Sequence, residues 1–287
     1  MRARGPAAGR LAAVQGRRVH RHRGLGTITS VVVIAATLGS SGCAARRPRP
    51  AGPATLPGAG ELQAVLARRH EAVHSLRALA HVHYRAPEES NSSRDAVVVA
   101  RPDRLRVEVL SLFGSVFVLA ANEGRLTAYA RQENTIYRGH ASPENLWRYV
   151  RLTLPVNLLV DIILATPPPQ PAKAAQVSFD AASGFIGLRE ELEDGVRVVW
   201  FSPEALPVGA QAQSLDGRTQ WRATFGRYED QAGVALATLI VLEVPEWQRS
   251  LEIALEDIDL NPELDPAVFA VQTPPGSKVV DLDRAAE

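Results

Sequence analysis

The spacing of apolar positions changes character several times along this chain. From Glu61, "ELQAVLARRHEAVHSLRAL" puts Leu62, Val65, Leu66, Val73 and Leu76 on one stripe, which predicts an amphipathic helix. From His81 the period shortens. "HVHYRA", "DAVVVARP", "RLRVEVL", "SVFVLAAN", "RLTAYAR" and "TIYRG" are short and rich in Val, Leu and Tyr, with breaks at "PEESNSS", "RPD", "FGS", "NEG" and "QEN". Such spacing predicts consecutive antiparallel strands. Two helices then interrupt. Ser142 before Pro143 is a cap with proline in the first turn of "PENLWRYV", and the apolar run "VNLLVDIILA" ends at "TPPPQP". Strands resume with "AQVSFD", "FIGLREEL", "VRVVWFS", "VGAQAQSLD", "RTQWRATFGRY", "LATLIVLEV" and "RSLEIALEDI", and Asp194-Gly195 and Asp216-Gly217 fit hairpin turns. Many strands, few helices and no regular strand-helix alternation predict an α+β fold, an antiparallel sheet with helices packed on one side.

Several strands are apolar on both faces. In "LATLIVLEV", Leu236, Thr238, Ile240, Leu242 and Val244 point one way while Ala237, Leu239 and Val241 point the other. A sheet with one wet face alternates, so both faces here are expected to be covered. Two arrangements satisfy this: helices on one face with a strongly curved sheet enclosing an apolar cavity, or a thick ordinary core. For a cavity, the candidate lining residues are Val107, Val118, Trp147, Trp221, Phe225 and Ile240. Trp200 and Trp247 also suit an amphipathic lining, although Trp221, Ala223 and Phe225 at strand spacing fit a plain core as well.

The turn in "VEVLSLFGSVFVLAAN" is unusual. Leu105, Val107 and Val109 share a face opposite Arg104, Arg106 and Glu108, and past Val109 the apolar residues switch register to Leu110 and Leu112. Phe113 follows just before Gly114. Leu112 and Phe113 either fold back under a neighbouring helix or form an exposed apolar tip.

Composition changes sharply at the start of the chain. The first 42 residues hold Arg2, Arg4, Arg10, Arg17, Arg18, Arg21 and Arg23 and no acidic residue; an apolar run then leads to Cys43, the one cysteine of the sequence. A basic region, a short apolar region and small residues describe an export signal. "GSSG" before Cys43 resembles a bacterial lipobox, with Ser40 where leucine is usual, and implies acylation of Cys43. The alternative is an ordinary cleaved signal, or an uncleaved anchor, with an incidental cysteine. The expected organisation is a signal over 1–42, a lipidated N-terminus with a Pro- and Gly-rich tether over 43–60, and one domain over 61–287. The whole chain has 32 basic and 31 acidic residues; without the seven signal arginines the balance is 25 to 31, a net of −6. That acidic balance gives no electrostatic reason to expect a nucleic-acid partner.

The block "RLRVEVLSLFGSVFVLAANEGRLTAYARQENTIYRGHASPENLWRYVRLTLPVNLLVDIIL" resembles the central segment of LolB-type outer-membrane lipoprotein receptors, through "LFGS", Gly124, "LTLPVNLL" and "ILATPP". "LDPAVFAVQTPPGSKVVD" is similar to the closing segment of LolA-type carriers. The resemblance implies an incomplete antiparallel barrel with helices as a lid over an apolar cavity. It also implies no enzymatic activity and no cofactor, acyl chains of lipoproteins or other lipids as ligands, a LolA-like periplasmic carrier as partner, and a membrane-contacting tip at Phe113 with Leu112 beside it. Ala44 after the cysteine, in place of the aspartate tied to inner-membrane retention in enteric bacteria, points by analogy to the outer membrane, facing the periplasm. An envelope-complex scaffold using Leu112 and Phe113 as a protein contact is the alternative without lipid transfer.

One motif speaks for catalysis. "HEAVH" matches the zinc-hydrolase signature, with His70 and His74 as ligands and Glu71 as base. Against it, the helix opens the domain and the extended form with a third histidine is absent. His81 and His83 share a strand face and fit either a metal or the surface. Asp161, inside an apolar helix, fits the helix rim or a gate on the cavity.

Overall fold

The computed structural model describes residue 53 and residues 55–284. The export signal, Cys43 and most of the tether lie outside the described residues.

Helix α1 (Ala59–Ala72) is shorter than its apolar stripe predicts. Glu61 Oε2 accepts from the Gly58 backbone N–H at 2.9 Å, and Val73 ends the helix with φ −121° and ψ 92°, already extended. Val73 and Leu76 therefore do not continue the stripe. Leu76 starts the alternation Leu76, Ala78, Ala80 of β1 (Ser75–Ala86), which is paired along both edges. Strand pairing satisfies the backbone N–H and C=O groups of two neighbours at once, and this long-range gain overrides a local helical period.

The first meander continues with β2 (Glu89–Ala100), β3 (Arg104–Ser111), β4 (Gly114–Asn122), β5 (Arg125–Ala130) and β6 (Thr135–His140). Helices α2 (Pro143–Val150) and α3 (Val156–Ile163) follow. The second meander is β7 (Ala174–Asp180), β8 (Phe185–Glu191), β9 (Gly195–Phe201), β10 (Pro207–Ser214), β11 (Thr219–Gln231), β12 (Val234–Val244) and β13 (Arg249–Leu260). Strand β14 (Lys278–Asp281) comes last.

These strands form one curved, open sheet in the order β14-β6-β5-β4-β3-β2-β1-β13-β12-β11-β10-β9-β8-β7. Each meander pairs with itself in sequence order, and β1 joins the two by pairing with β13 over Leu76↔Leu260 to Arg85↔Ser250. All pairings are antiparallel except β14 with β6. The C-terminal strand thus extends the sheet beyond β6 and does not close it. Because β6 and β7 stand near opposite ends of this order, the chain between them must cross the sheet, and α2 and α3 are that crossing. Helix α3 packs on β2, β3 and β12, the middle of the sheet.

The main core lies between this crossing and the inner face: Leu76, Val99, Leu105, Leu126, Leu236 and Ile240 from strands, Leu146, Leu159 and Val160 from helices. The outer face explains the doubly apolar strands in part. Val98 and Ala100 are covered by Phe269, with Leu264 and Val268 beside it, on the 3₁₀ turn Pro266–Phe269. Arg106 Nη1 donates to the carbonyls of Val268 and Ala270, each at 3.0 Å. The returning C-terminal segment, rather than further helices, shields that part of the sheet.

At the other end the buried Glu190 on β8 pairs with Arg197 on β9, through Nε at 2.8 Å and Nη2 at 2.6 Å to Oε2. Gln63 of α1 donates to Glu190 Oε1 at 3.0 Å, and Arg197 Nη1 donates to the Pro168 carbonyl. This one pair ties α1 and the proline-rich segment after α3 to the sheet.

Candidate functional site

A cavity of about 280 Å³ lies between the inner face and the helices. Its wall is built by strand alternation: Val82 from β1, Val97 from β2, Leu105, Val107 and Val109 from β3, and Phe117 and Leu119 from β4. Leu242, Leu251 and Ile253 of β12 and β13 extend the wall, and Tyr149 and Val150 of α2 with Leu159, Ile162 and Ile163 of α3 border it from the helical side. The Ser142 hydroxyl accepts from the Asn145 backbone N–H at 3.2 Å, the cap its position before Pro143 predicts. Phe117 and Tyr149 stack at 5.5 Å, and burial pushes the Tyr149 phenol up from its ordinary value, keeping it protonated.

The wall is not uniformly apolar. Glu89, Asn91, Ser93 and Asp95 occupy alternate positions of β2, the same inward parity as Val97, and all four border the cavity. Asp95 is buried, flanked across the ladders by Ala80 and Val109.

The β3–β4 hairpin that forms the wall also carries the tip. Leu112 and Phe113 are 98% and 88% exposed, so they do not fold under a helix. The Ser111 hydroxyl donates to the Gly114 carbonyl at 2.8 Å and accepts from the Phe113 N–H at 3.2 Å, while Arg131 Nη1 donates to the Phe113 carbonyl at 3.2 Å. Gly114 sits at φ +96°, where a side chain is strained. Val109 faces Phe117 and Leu110 faces Ser115, so a bulge in β4 accompanies the register switch seen in the sequence. At roughly 3.4 Å per residue, Leu112 lies about 10 Å along the strand from cavity-lining Val109.

The other expected lining residues are placed differently. Val107 is in the wall. Val118 is buried on the outer face, across from Glu108 and Tyr129, because strand parity turns it away from its neighbours Phe117 and Leu119. Trp147 stands outside the cavity, its ring 5.0 Å from Trp247 and 4.0 Å from the Arg249 guanidinium. Phe225 and Ile240 are cross-strand partners in the solid core. Trp221 borders a second cavity, of about 490 Å³, on the other side of α3 against β9 to β11.

The zinc motif is not assembled as a helix. His70 lies on α1, but His74 falls beyond its end, with Nδ1 3.3 Å from the Ser75 hydroxyl. His81 contacts Glu256 at 3.4 Å and His83 the Ser92 hydroxyl at 2.7 Å. No group of three His, Cys, Asp or Glu side chains is arranged to hold a metal among the described residues.

Asp161 is buried and ion-paired with Arg101, whose Nε donates to the Val73 carbonyl at 2.9 Å. Burial pulls the Arg101 guanidinium down to about 10, so it remains charged at neutral pH. The pair fixes α3 and the end of α1 to the β2–β3 turn. Asp161 borders the second cavity, not the apolar one. His70 Nε2 is 3.7 Å from Asp161 Oδ1, yet that carboxylate is already neutralised by Arg101. Burial first, and the guanidinium second, hold the His70 imidazole below its ordinary value. Between the lowered folded value and the unfolded value near 6.5, the unfolded chain binds more protons, so stability falls as pH drops through that window. His70→Gln is expected to flatten the decline; a stability-versus-pH curve that matches wild type from pH 7 to 5 would contradict this.

Neither Arg101, Glu190, Arg197 nor Asp95 stands out in the sequence. Asp95 had one readable signal, its shared parity with Val97 and Val99.

No protein-family model and no curated protein matches the chain. Solved structures do. A domain from Vibrio parahaemolyticus named for outer-membrane lipoprotein sorting is 12% identical over 74% of this chain and 97% of its own, with a TM-score of 0.53. A DUF1329 family protein from Desulfovibrio piger is 12% identical over 75% and 98%, with a TM-score of 0.51. At such identity the likeness is one of fold: a large curved antiparallel sheet crossed by helices.

Proposed function

We propose that this protein is a non-enzymatic lipid- or lipoprotein-handling member of the LolA/LolB-like superfamily, held at a membrane through an acylated Cys43. The observation that carries this reading is the joining, on one hairpin, of an apolar cavity wall and an exposed apolar tip. Acyl chains enter the cavity between the sheet and α2–α3, which act as its lid, and Leu112 and Phe113 meet the bilayer where cargo leaves. The name of the Vibrio domain, for lipoprotein sorting, points the same way. Ala44 favours, by analogy, the outer membrane facing the periplasm, with a LolA-like carrier as donor. The cavity volume lies just under the roughly 300–1,000 Å³ of sites for drug-sized ligands. A ligand with several chains therefore requires the lid to open.

Native mass spectrometry of residues 44–287 purified from bacteria tests the reading. Copurifying masses of acyl-chain size, released by organic solvent, are expected. A stoichiometric zinc ion in their place, or a domain that neither carries nor takes up any amphiphile, overturns it.

A further inference from the structure

The cavity wall contains one buried charged group that an acyl chain alone does not account for. Asp95 is 4% exposed, borders the cavity, and sits between Ala80 and Val109 on the neighbouring strands. Its Oδ1 is shielded from solvent and has no hydrogen-bond partner among the described residues. A carboxylate left unpaired in apolar surroundings is costly, and proteins satisfy such groups with a donor or a cation. The Ser93 hydroxyl, next along the same face of β2, acts to lower the carboxyl's pKa, but by less than burial raises it. Burial pushes the carboxyl up from its ordinary value, as expected for a charge short of partners.

The surroundings indicate what the missing partner is. Glu89, Asn91 and Ser93 lead along the same face of β2 from its exposed end to Asp95, so the polar strip carries two carboxylates. Among the described residues, Arg151 is the one cationic side chain bordering the cavity, and it is exposed at the end of α2. Next to Asp95, the apolar surface of Val97, Val107 and Leu119 begins. A ligand that fits both parts has an alkyl chain and a positively charged nitrogen. A fatty-acid carboxylate in the same place meets like charge, and unpaired or like-charged contacts are how sites reject a competitor.

We propose that the cavity selects amphiphiles with an amine headgroup, with Asp95 accepting the ammonium N–H while the chain lies on the apolar wall. This rests on the lipid-binding reading above and narrows it to a ligand class.

The test uses the full chain with Cys43→Ser and a neutral fluorescent probe, N-phenyl-1-naphthylamine, displaced by dodecylammonium or by dodecanoate at equal ionic strength, below micelle formation. The two competitors share a chain and differ in headgroup charge. Dodecylammonium is expected to displace the probe at a concentration about tenfold lower, equivalent to about 1.4 kcal/mol. Asp95→Asn is expected to bring the two within about twofold, whereas Glu193→Gln, an exposed carboxylate in the β8–β9 turn away from this cavity, keeps the preference. Equal or stronger displacement by dodecanoate from wild type overturns the inference while leaving the cavity reading intact, as does a preference that survives in Asp95→Asn or vanishes in Glu193→Gln. The wild-type comparison stands even if Asp95→Asn does not fold. Failure of probe and both competitors to bind removes the cavity reading itself, and this inference with it.

Discussion

Glu190→Ala is expected to destabilise the domain by about 3–5 kcal/mol, the usual cost of removing one partner of a buried ion pair. Its side chain is 1% exposed and that of Arg197 is 3% exposed. In the variant the Arg197 guanidinium keeps its hydrogen bond to the Pro168 carbonyl but loses both bonds to the carboxylate. Gln63 loses its acceptor as well, so α1 is freed from β8. Glu190→Gln, which keeps an acceptor of the same shape without the charge, should lose less. A double replacement of Glu190 and Arg197 by apolar residues of similar volume should recover much of the loss, because the penalty comes from a stranded charge. Urea unfolding is the check, with a lower midpoint at unchanged slope. A loss below about 1 kcal/mol would mean that Arg197 finds another partner, and the pair would no longer explain the docking of α1.

The second large effect is functional. Phe113→Glu is expected to leave stability within about 0.5 kcal/mol, because the side chain is 88% exposed and contributes no core contact. Uptake of an amphiphile into the cavity should also be unchanged, since the hairpin wall ends at Val109 and Phe117. Delivery to a bilayer should fall by tenfold or more. Moving a Phe side chain from water into an apolar phase yields roughly 1.5–3 kcal/mol, each 1.4 kcal/mol being a factor of ten, and a carboxylate forfeits all of it. Attachment is a separate matter. At about 0.8 kcal/mol per buried CH₂, two or three acyl chains on Cys43 outweigh one phenyl ring severalfold. The variant is therefore expected to stay anchored and still fail at transfer. Measuring cargo transfer to liposomes separates the two steps, and a wild-type transfer rate for Phe113→Glu would rule out a role for the tip.

What was legible in the sequence follows a physical pattern. Most strands of both meanders, α2 with its Ser142 cap, α3 and the Leu112–Phe113 turn rest on interactions within ten residues or so, namely period, capping and turn chemistry, which a single segment carries in its own order. The polar half of β2, residues 89–93, reads as a break and is a strand only because it pairs with residues 82–86 of β1. The end of α1 does not. Leu76 fits both a helical stripe and a strand alternation, and the choice fell to β13, nearly two hundred residues away, whose pairing with β1 makes extended backbone the better solution. That choice also separated His70 from His74. Val118 shows the same limit in smaller form: its apolarity was plain, but only strand parity in the assembled sheet decided that it faces the C-terminal side rather than the cavity.

By itself, then, the order of residues determined most element types, the antiparallel α+β class and an apolar turn after an apolar strand, while the exposure of that turn as a tip came from the tertiary structure. The tertiary structure alone decided which strands meet, that the sheet stays open with β14 at its edge, and where charges lie buried. Asp95, Arg101 with Asp161, and Glu190 with Arg197 are ordinary polar letters in the chain. Each acquires its consequence from desolvation, and desolvation depends on which distant segments close over a residue, a quantity that no local pattern contains.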